Sequence, residues 1–201
     1  MRVAAIDCGT NSLRLLIADI DQGNFREIYR TMEVVRLGEG VDQNKTFKLE
    51  AIDRTLTALQ NFSSEITRRG VERIRFCATS ATRDATNRDL FIKGVEEILG
   101  ITPEVIPGTE EASLSFRGAT KELAVAEGPF LVVDIGGGST EFVYGTENVI
   151  SAQSVNVGCV RMAERHQLTS PLSESSRTAA VADIDAAIAE AASEVPITKA
   201  R

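Results

Sequence analysis

Long apolar runs are missing from this sequence. None approaches the ~20 residues needed to cross a bilayer, so no membrane association is expected. The opening residues, MRVAAIDCGT, also lack the apolar core of a secretory leader, and a cytoplasmic protein is expected. Tryptophan is absent and aromatic residues make up only 5% of the 201 positions. With 43% hydrophobic and 25% charged residues, this is the balance of an ordinary soluble globular protein. Cysteine occurs three times: Cys8, Cys77 and Cys159 are odd in number, far apart and set among small or apolar neighbours. Such spacing speaks against disulfides and zinc and for reduced, core-packed thiols. The single histidine, His166, sits on a basic helical stretch and reads as a surface residue rather than a general base. Positive charge is in deficit, with 22 Lys and Arg against 29 Asp and Glu, a net −7. A general nucleic-acid surface is therefore excluded. A polyanionic ligand would need local arginines or a divalent cation to overcome the overall repulsion.

What is present is a regular alternation of strands and amphipathic helices. Residues 2–7, 13–20 and 25–35 read as three strands, the last two joined by the turn Asp21-Gln22-Gly23-Asn24. Apolar residues then recur at three- or four-residue spacing from Leu49 to Ile66, which predicts a helix closed by Gly70. Further strands are expected over 73–78 and 104–106, and helices over 89–99 and 110–126. After Gly128 the pattern restarts: strands at 130–135, 141–144 and 149–157, then helices at 159–167 and 173–193. The stretch FLVVDI within this second unit is a nearly continuous apolar strand, of the kind buried on both sheet faces. DCGTNSLRLLI and DIGGGSTEFVY hold the same place in two successive units, an internal repeat of architecture with units 1–126 and 127–201.

Each of these two stretches is a strand, a short turn and another strand. Walker A and dinucleotide loops instead lead into a helix, so neither fits. Glycine permits positive φ and close approach of a ligand to the backbone. Successive N–H groups in such a turn make a concave anion site, to which Thr10, Asn11, Ser12, Ser139 and Thr140 add side-chain donors. A plain tight hairpin would explain one such turn, but two equivalent ones favour phosphate. Asp7 and Asp134 end equivalent strands; they read either as turn-capping carboxylates or, with Glu141, as holders of a magnesium ion. In CATSATRDA, Thr79, Ser80 and Thr82 offer hydroxyls, and Arg83 offers either a phosphate fork or a solvated surface cation. In GTEEAS, Thr109 is a candidate N-cap, and helix-dipole stabilisation alone would account for Glu110 and Glu111.

Five stretches in order, AAIDCGTNSLRLLIADI, ATSATRDA, IPGTEEASLSFRGA, LVVDIGGGSTEFVYG and VNVGCVRMAERH, resemble the exopolyphosphatase and guanosine pentaphosphate phosphatase family. The resemblance implies an α/β protein with two actin-like (ribonuclease H-like) domains and an active site in the cleft between them. It also implies magnesium-assisted release of terminal phosphate from polyphosphate or guanosine pentaphosphate. By motif match, Glu111 takes the role of general base. Asn11, Ser12 and Arg14, then Ser80 and Arg83, and then Gly136, Gly137, Gly138 and Ser139 take phosphate-binding roles. Asp134 and Glu141, with Asp7, match the metal- or water-placing acids, and Gly158 and Arg161 a helix-opening segment beside the cleft. The expected partner is the phosphate substrate, with a homodimer as the only protein assembly considered and no nucleic acid or membrane. Family members continue beyond the point where this chain stops, so the second domain is expected to be incomplete, exposing apolar sheet surface. Two other readings stay open: a phosphotransferase of the same superfamily acting from ATP, and a non-catalytic phosphate or nucleotide sensor.

Overall fold

The computed structural model describes residues 1–200, and it divides into two compact units, Met1–Ile106 and Pro107–Arg201. In the first unit β1 (Arg2–Cys8), β2 (Ser12–Asp21) and β3 (Asn24–Val34) form an antiparallel meander. The one-turn helix α1 (Val41–Asn44) and the long α2 (Leu49–Arg68) follow. Strand β4 (Arg73–Ala78) then runs parallel to β1, and β5 (Glu104–Val105) lies parallel to β4. Between these strands lie α3 (Ser80–Asp84) and α4 (Arg88–Leu99). The resulting mixed sheet has the order β3-β2-β1-β4-β5.

Alternation along the strands decides which face is covered. Ala4, Ile6 and Cys8 of β1 join Leu13, Leu15 and Ile17 of β2 and Phe76 of β4 in one core with Leu59, Phe62 and Phe91 from α2 and α4. Asp7 and Arg14 fall on the other face, as period-two geometry requires. Edge strand β3 is mostly exposed and carries charged residues such as Arg26, Glu27 and Arg30, which discourage further pairing.

In the second unit α5 (Gly108–Thr120) leads, through a single 3-10 turn, into β6 (Phe130–Ile135), β7 (Thr140–Gly145) and β8 (Val149–Val155). The three strands form an antiparallel sheet in the order β6-β7-β8. Helices α6 (Cys159–Arg165) and α7 (Glu174–Glu194) follow, the latter capped by Ser173, whose hydroxyl accepts from the Ser176 N–H at 3.0 Å. Helices pack on both faces of the sheet. Ala112 and Phe116 of α5 pack with Val132 and Val143 on one side. Ala187 and Ala191 of α7 pack with Phe142 and Val155 on the other.

One boundary differs from the sequence reading. Helix α5 packs on the second sheet, so the compact units divide at Ile106/Pro107, some way before the 126/127 boundary read from the repeat. Among the described strands β6 has one neighbour, β7, and Val133 is 43% and Ile135 70% exposed, the apolar sheet surface expected of a partial second domain. Among the described residues no helix is long and apolar enough to cross a membrane.

Candidate phosphate-binding and carboxylate site

The two repeated turns share one backbone design. In the first, the Gly9 N–H donates to the Ser12 carbonyl at 3.0 Å; in the second, the Gly136 N–H donates to the Ser139 carbonyl at 2.9 Å. The intervening carbonyls are tied down from outside. Thr10 O accepts from the Gly38 N–H at 2.8 Å, and Asn11 O accepts from the N–H groups of Val35 and Arg36, both at 2.9 Å. Gly136 O accepts from the Cys159 N–H, and Gly137 O from those of Val160 and Arg161, at 2.9–3.0 Å. Gly138 O accepts from the Arg161 side-chain Nε at 2.6 Å. In a trans peptide the N–H points opposite to the C=O. Anchoring the carbonyls on one side therefore turns the N–H groups of Asn11 and Ser12, and of Gly137, Gly138 and Ser139, to the other side. Each turn thus has the N–H arrangement of an anion-binding nest.

Close approach, not positive φ, is what glycine supplies. Gly136 lies outside the left-handed region, but a Cβ there would sit 2.9 Å from the Ser139 carbonyl. A Cβ on Gly158, at the start of α6, would meet the Gly137 carbonyl carbon at 2.5 Å.

The second nest adjoins a cluster of carboxylates. Asp134 and Glu141 are direct cross-strand partners on the α5 face of the sheet, and Ser154 is the partner of Glu141 on β8. Glu141 is only 1% exposed, and its Oε1 accepts from Ser154 Oγ at 2.8 Å. Burial holds its pKa above the usual carboxylate range; the charges of Glu111 and Asp134 push the same way, while hydrogen bonds from Ser139 and Ser154 oppose them. Glu111 stands in the first turn of α5. That helix also sends Ser115 Oγ to Asp134 Oδ2 at 2.7 Å. Thr109 is not the N-cap: the helix starts at Gly108 with Pro107 before it, so Thr109 lies inside the first turn.

The first unit answers with different chemistry. Arg14 occupies the position equivalent to Glu141 and faces Asp7, Nη1 to Oδ2, at 3.7 Å. Ser80 is buried at the start of α3, and Arg83 donates from Nη1 to the Ile106 carbonyl at 2.9 Å, so it is anchored rather than merely solvated. The hydroxyls of Thr10 and Thr82 are buried with no hydrogen-bond partner among the described residues. Buried groups of this kind call for a water or ligand.

Other expected features lie elsewhere. His166 follows α6 half-buried, with Nε2 2.9 Å from Asp183 Oδ2, so it is hydrogen-bonded and not an open surface residue. Cys8 is buried, and burial beside Asp7 pushes its thiol pKa well up; Cys159 is exposed, not core-packed as expected. Pattern reading overlooked Ser115 and Ser154. Strand register is the signal that finds Ser154, and the one-turn spacing from Glu111 is the signal for Ser115.

Residues 16–200 match the Ppx/GppA phosphatase family. The chain belongs to that family. It is 51% identical over 173 residues to exopolyphosphatase 2 of Mycobacterium tuberculosis, a span covering 82% of this chain and 54% of that protein. It is 36% identical over 179 residues to guanosine-5'-triphosphate,3'-diphosphate pyrophosphatase of Pseudoalteromonas atlantica, covering 89% of this chain and 35% of that one. A crystal structure of an exopolyphosphatase-like protein superposes with a TM-score of 0.95 at 48% identity, covering all of this chain and 64% of the other. The chain thus spans about half the length of the mycobacterial relative. Within this Ppx/GppA chain the family match takes in the second nest and all three carboxylates but begins after the first turn. The crystal structure covers that turn as well.

Proposed function

We propose that this chain carries the phosphate-holding turns and the water-activating carboxylate of an exopolyphosphatase, which releases terminal phosphate from polyphosphate or guanosine pentaphosphate in the cytoplasm. One observation carries the reading: the triple-glycine turn joins the two strands that carry Asp134 and Glu141, and Glu111 of α5 adds its charge to the buried Glu141. A phosphoryl group needs its oxygens held and its charge neutralised, while water needs a base. The two features supply these in turn. The matched family is one of phosphatases and a relative is an exopolyphosphatase, which favours water over a sugar hydroxyl as acceptor.

In this reading the N–H groups of Gly137, Gly138 and Ser139 hold the terminal phosphoryl oxygens. Within the first unit, taken by itself, Asn11, Ser12, Arg14, Ser80 and Arg83 are the residues we assign to phosphate binding. Glu111 takes a proton from water as the water oxygen bonds to phosphorus. The bridging P–O bond breaks, and its electron pair leaves with the shortened chain.

Magnesium fits this set in a limited way. Among the described residues no group of three or more His, Cys, Asp or Glu side chains is placed to hold a metal ion. Magnesium keeps several waters and takes phosphate oxygens, so two carboxylates suffice from the protein. Asp134 and Glu141 are the pair we assign, because their facing negative charges lack the arginine that Asp7 has in the first unit. When bound, the ion would offset charge on the transferred phosphoryl group. Asp7 then serves to orient Arg14.

Incubation with polyphosphate, guanosine pentaphosphate or ATP plus sugars, with phosphate release measured, tests the reading. Release from either of the first two is expected. Phosphate transfer to sugar without release would replace hydrolysis by kinase chemistry, and binding without turnover would leave a sensor.

A further inference from the structure

Three consecutive glycines are the least constrained backbone a turn can contain, and fixing them costs more conformational entropy than any other sequence. Something must hold the Gly136–Ser139 turn in its outward-facing form. Helix α6 does most of this through its first amides, which are occupied by the carbonyls of Gly136 and Gly137. The Gly138 carbonyl is left without a backbone donor from that helix. In the first unit the equivalent carbonyl, that of Asn11, takes two backbone N–H groups, from Val35 and Arg36. In the second unit one side chain replaces both: Arg161, 6% exposed, whose Nε donates to Gly138 O at 2.6 Å.

We propose that Arg161 is the positioning residue of the triple-glycine nest. It fixes the peptide joining Gly138 to Ser139 so that the Ser139 N–H faces the phosphate. This rests on the nest being a phosphate holder, as argued above. Arg161 acts from behind the turn, through the peptide, and does not touch the ligand. The bond is charge-assisted, so it also polarises the amide that presents the Ser139 N–H. Without it the Gly138 carbonyl would have to seek another donor, and rotation of that peptide would withdraw one of the three N–H groups.

The test is a titration of the full chain, labelled with ¹⁵N, with magnesium imidodiphosphate, a phosphate pair that resists hydrolysis. The amide resonances of Gly137, Gly138 and Ser139 are followed. Arg161→Gln places an amide nitrogen where Nε stands and keeps the donor without the charge. Arg161→Met fills the volume with neither, and Arg161→Lys keeps the charge but cannot place a nitrogen there. The parent is expected to shift at all three amides. Met and Lys should weaken binding by about tenfold or more, the scale of a lost hydrogen bond to a charged group, while Gln stays near the parent. Parent-like affinity in Met overturns the positioning role, and if Met does not fold, parent-like affinity in Lys does the same. Equal weakening of Gln and Met with parent-like Lys also overturns it, because charge alone would then be responsible. A parent whose three amides do not respond overturns the phosphate reading itself, and the proposal with it.

Discussion

Asp134 and Glu141 face each other directly across β6 and β7, where the equivalent pair of the first unit is Asp7 opposite Arg14. An ion pair in one repeat has become two like charges in the other. With Glu111 adding a third negative charge to a buried Glu141, the second unit carries a local excess that a proton or a cation relieves.

The pH dependence of stability follows from that excess. Glu141 has its pKa raised on folding, so its contribution is complete below the unfolded value of roughly 4.3 and is lost as pH rises through the folded value. Glu141→Gln has no such loss. Its melting temperature relative to the parent should therefore climb between acid and neutral pH, and added magnesium should shrink the gap. Parallel curves for the two proteins would show that ionised Glu141 is as well solvated as in water.

Glu111→Gln keeps the shape of the first turn of α5 but removes the base. In any preparation that hydrolyses polyphosphate, turnover should fall by roughly 10²–10⁴-fold, the range of general base catalysis. Imidodiphosphate binding should change little. Near-normal turnover would transfer the role to Glu110 or Glu141.

For Arg83 the anchor on the Ile106 carbonyl holds the guanidinium in place. Arg83→Ala should raise KM for polyphosphate by roughly tenfold, the scale of one charge-assisted contact. Arg83→Lys should recover only part of this, since it loses both the fork and the anchor. An unchanged KM in both variants would make Arg83 a purely structural residue.

Phe116 is fully buried between α5 and the second sheet, and it secures the helix that carries Glu111 and Ser115. Phe116→Ala should cost about 3–5 kcal/mol, the usual range for emptying an aromatic core site. Chemical denaturation of the parent and variant measures this. A cost below about 1 kcal/mol would mean that α5 is held by other contacts.

Most strand positions were readable from sequence because several strands are short, apolar and bounded by turn residues, as in RVAAIDC and FLVVDI. The helices α1 and α3 were not, because a single turn has no periodicity to detect. Helix α5 was read to Ala126 but ends at Thr120, since Ala119 to Ala126 contains no glycine or proline to mark the stop. The candidate site was half legible. Its glycines and acids stand in the motifs, but the bonds of Ser154 to Glu141 and Arg161 to Gly138 depend on register and packing. Sequence spacing does not encode these.

The two nests differ in what evolution can adjust. Gly9-Thr10-Asn11-Ser12 presents side chains between its fixed ends, while Gly136-Gly137-Gly138-Ser139 presents almost bare backbone. Asn11 is only partly buried, so an exchange there alters size and polarity at the turn, whereas Thr10 is buried. Any side chain at Gly136 would strike the Ser139 carbonyl, and one on Gly158 would strike Gly137. Under the proposed function, selection for a new chain end, whether an inorganic phosphate or a nucleotide-linked one, would act on Asn11 sooner than on the second turn. Substitutions recovered in laboratory libraries should be sparser at Gly136 and Gly158 than at Asn11.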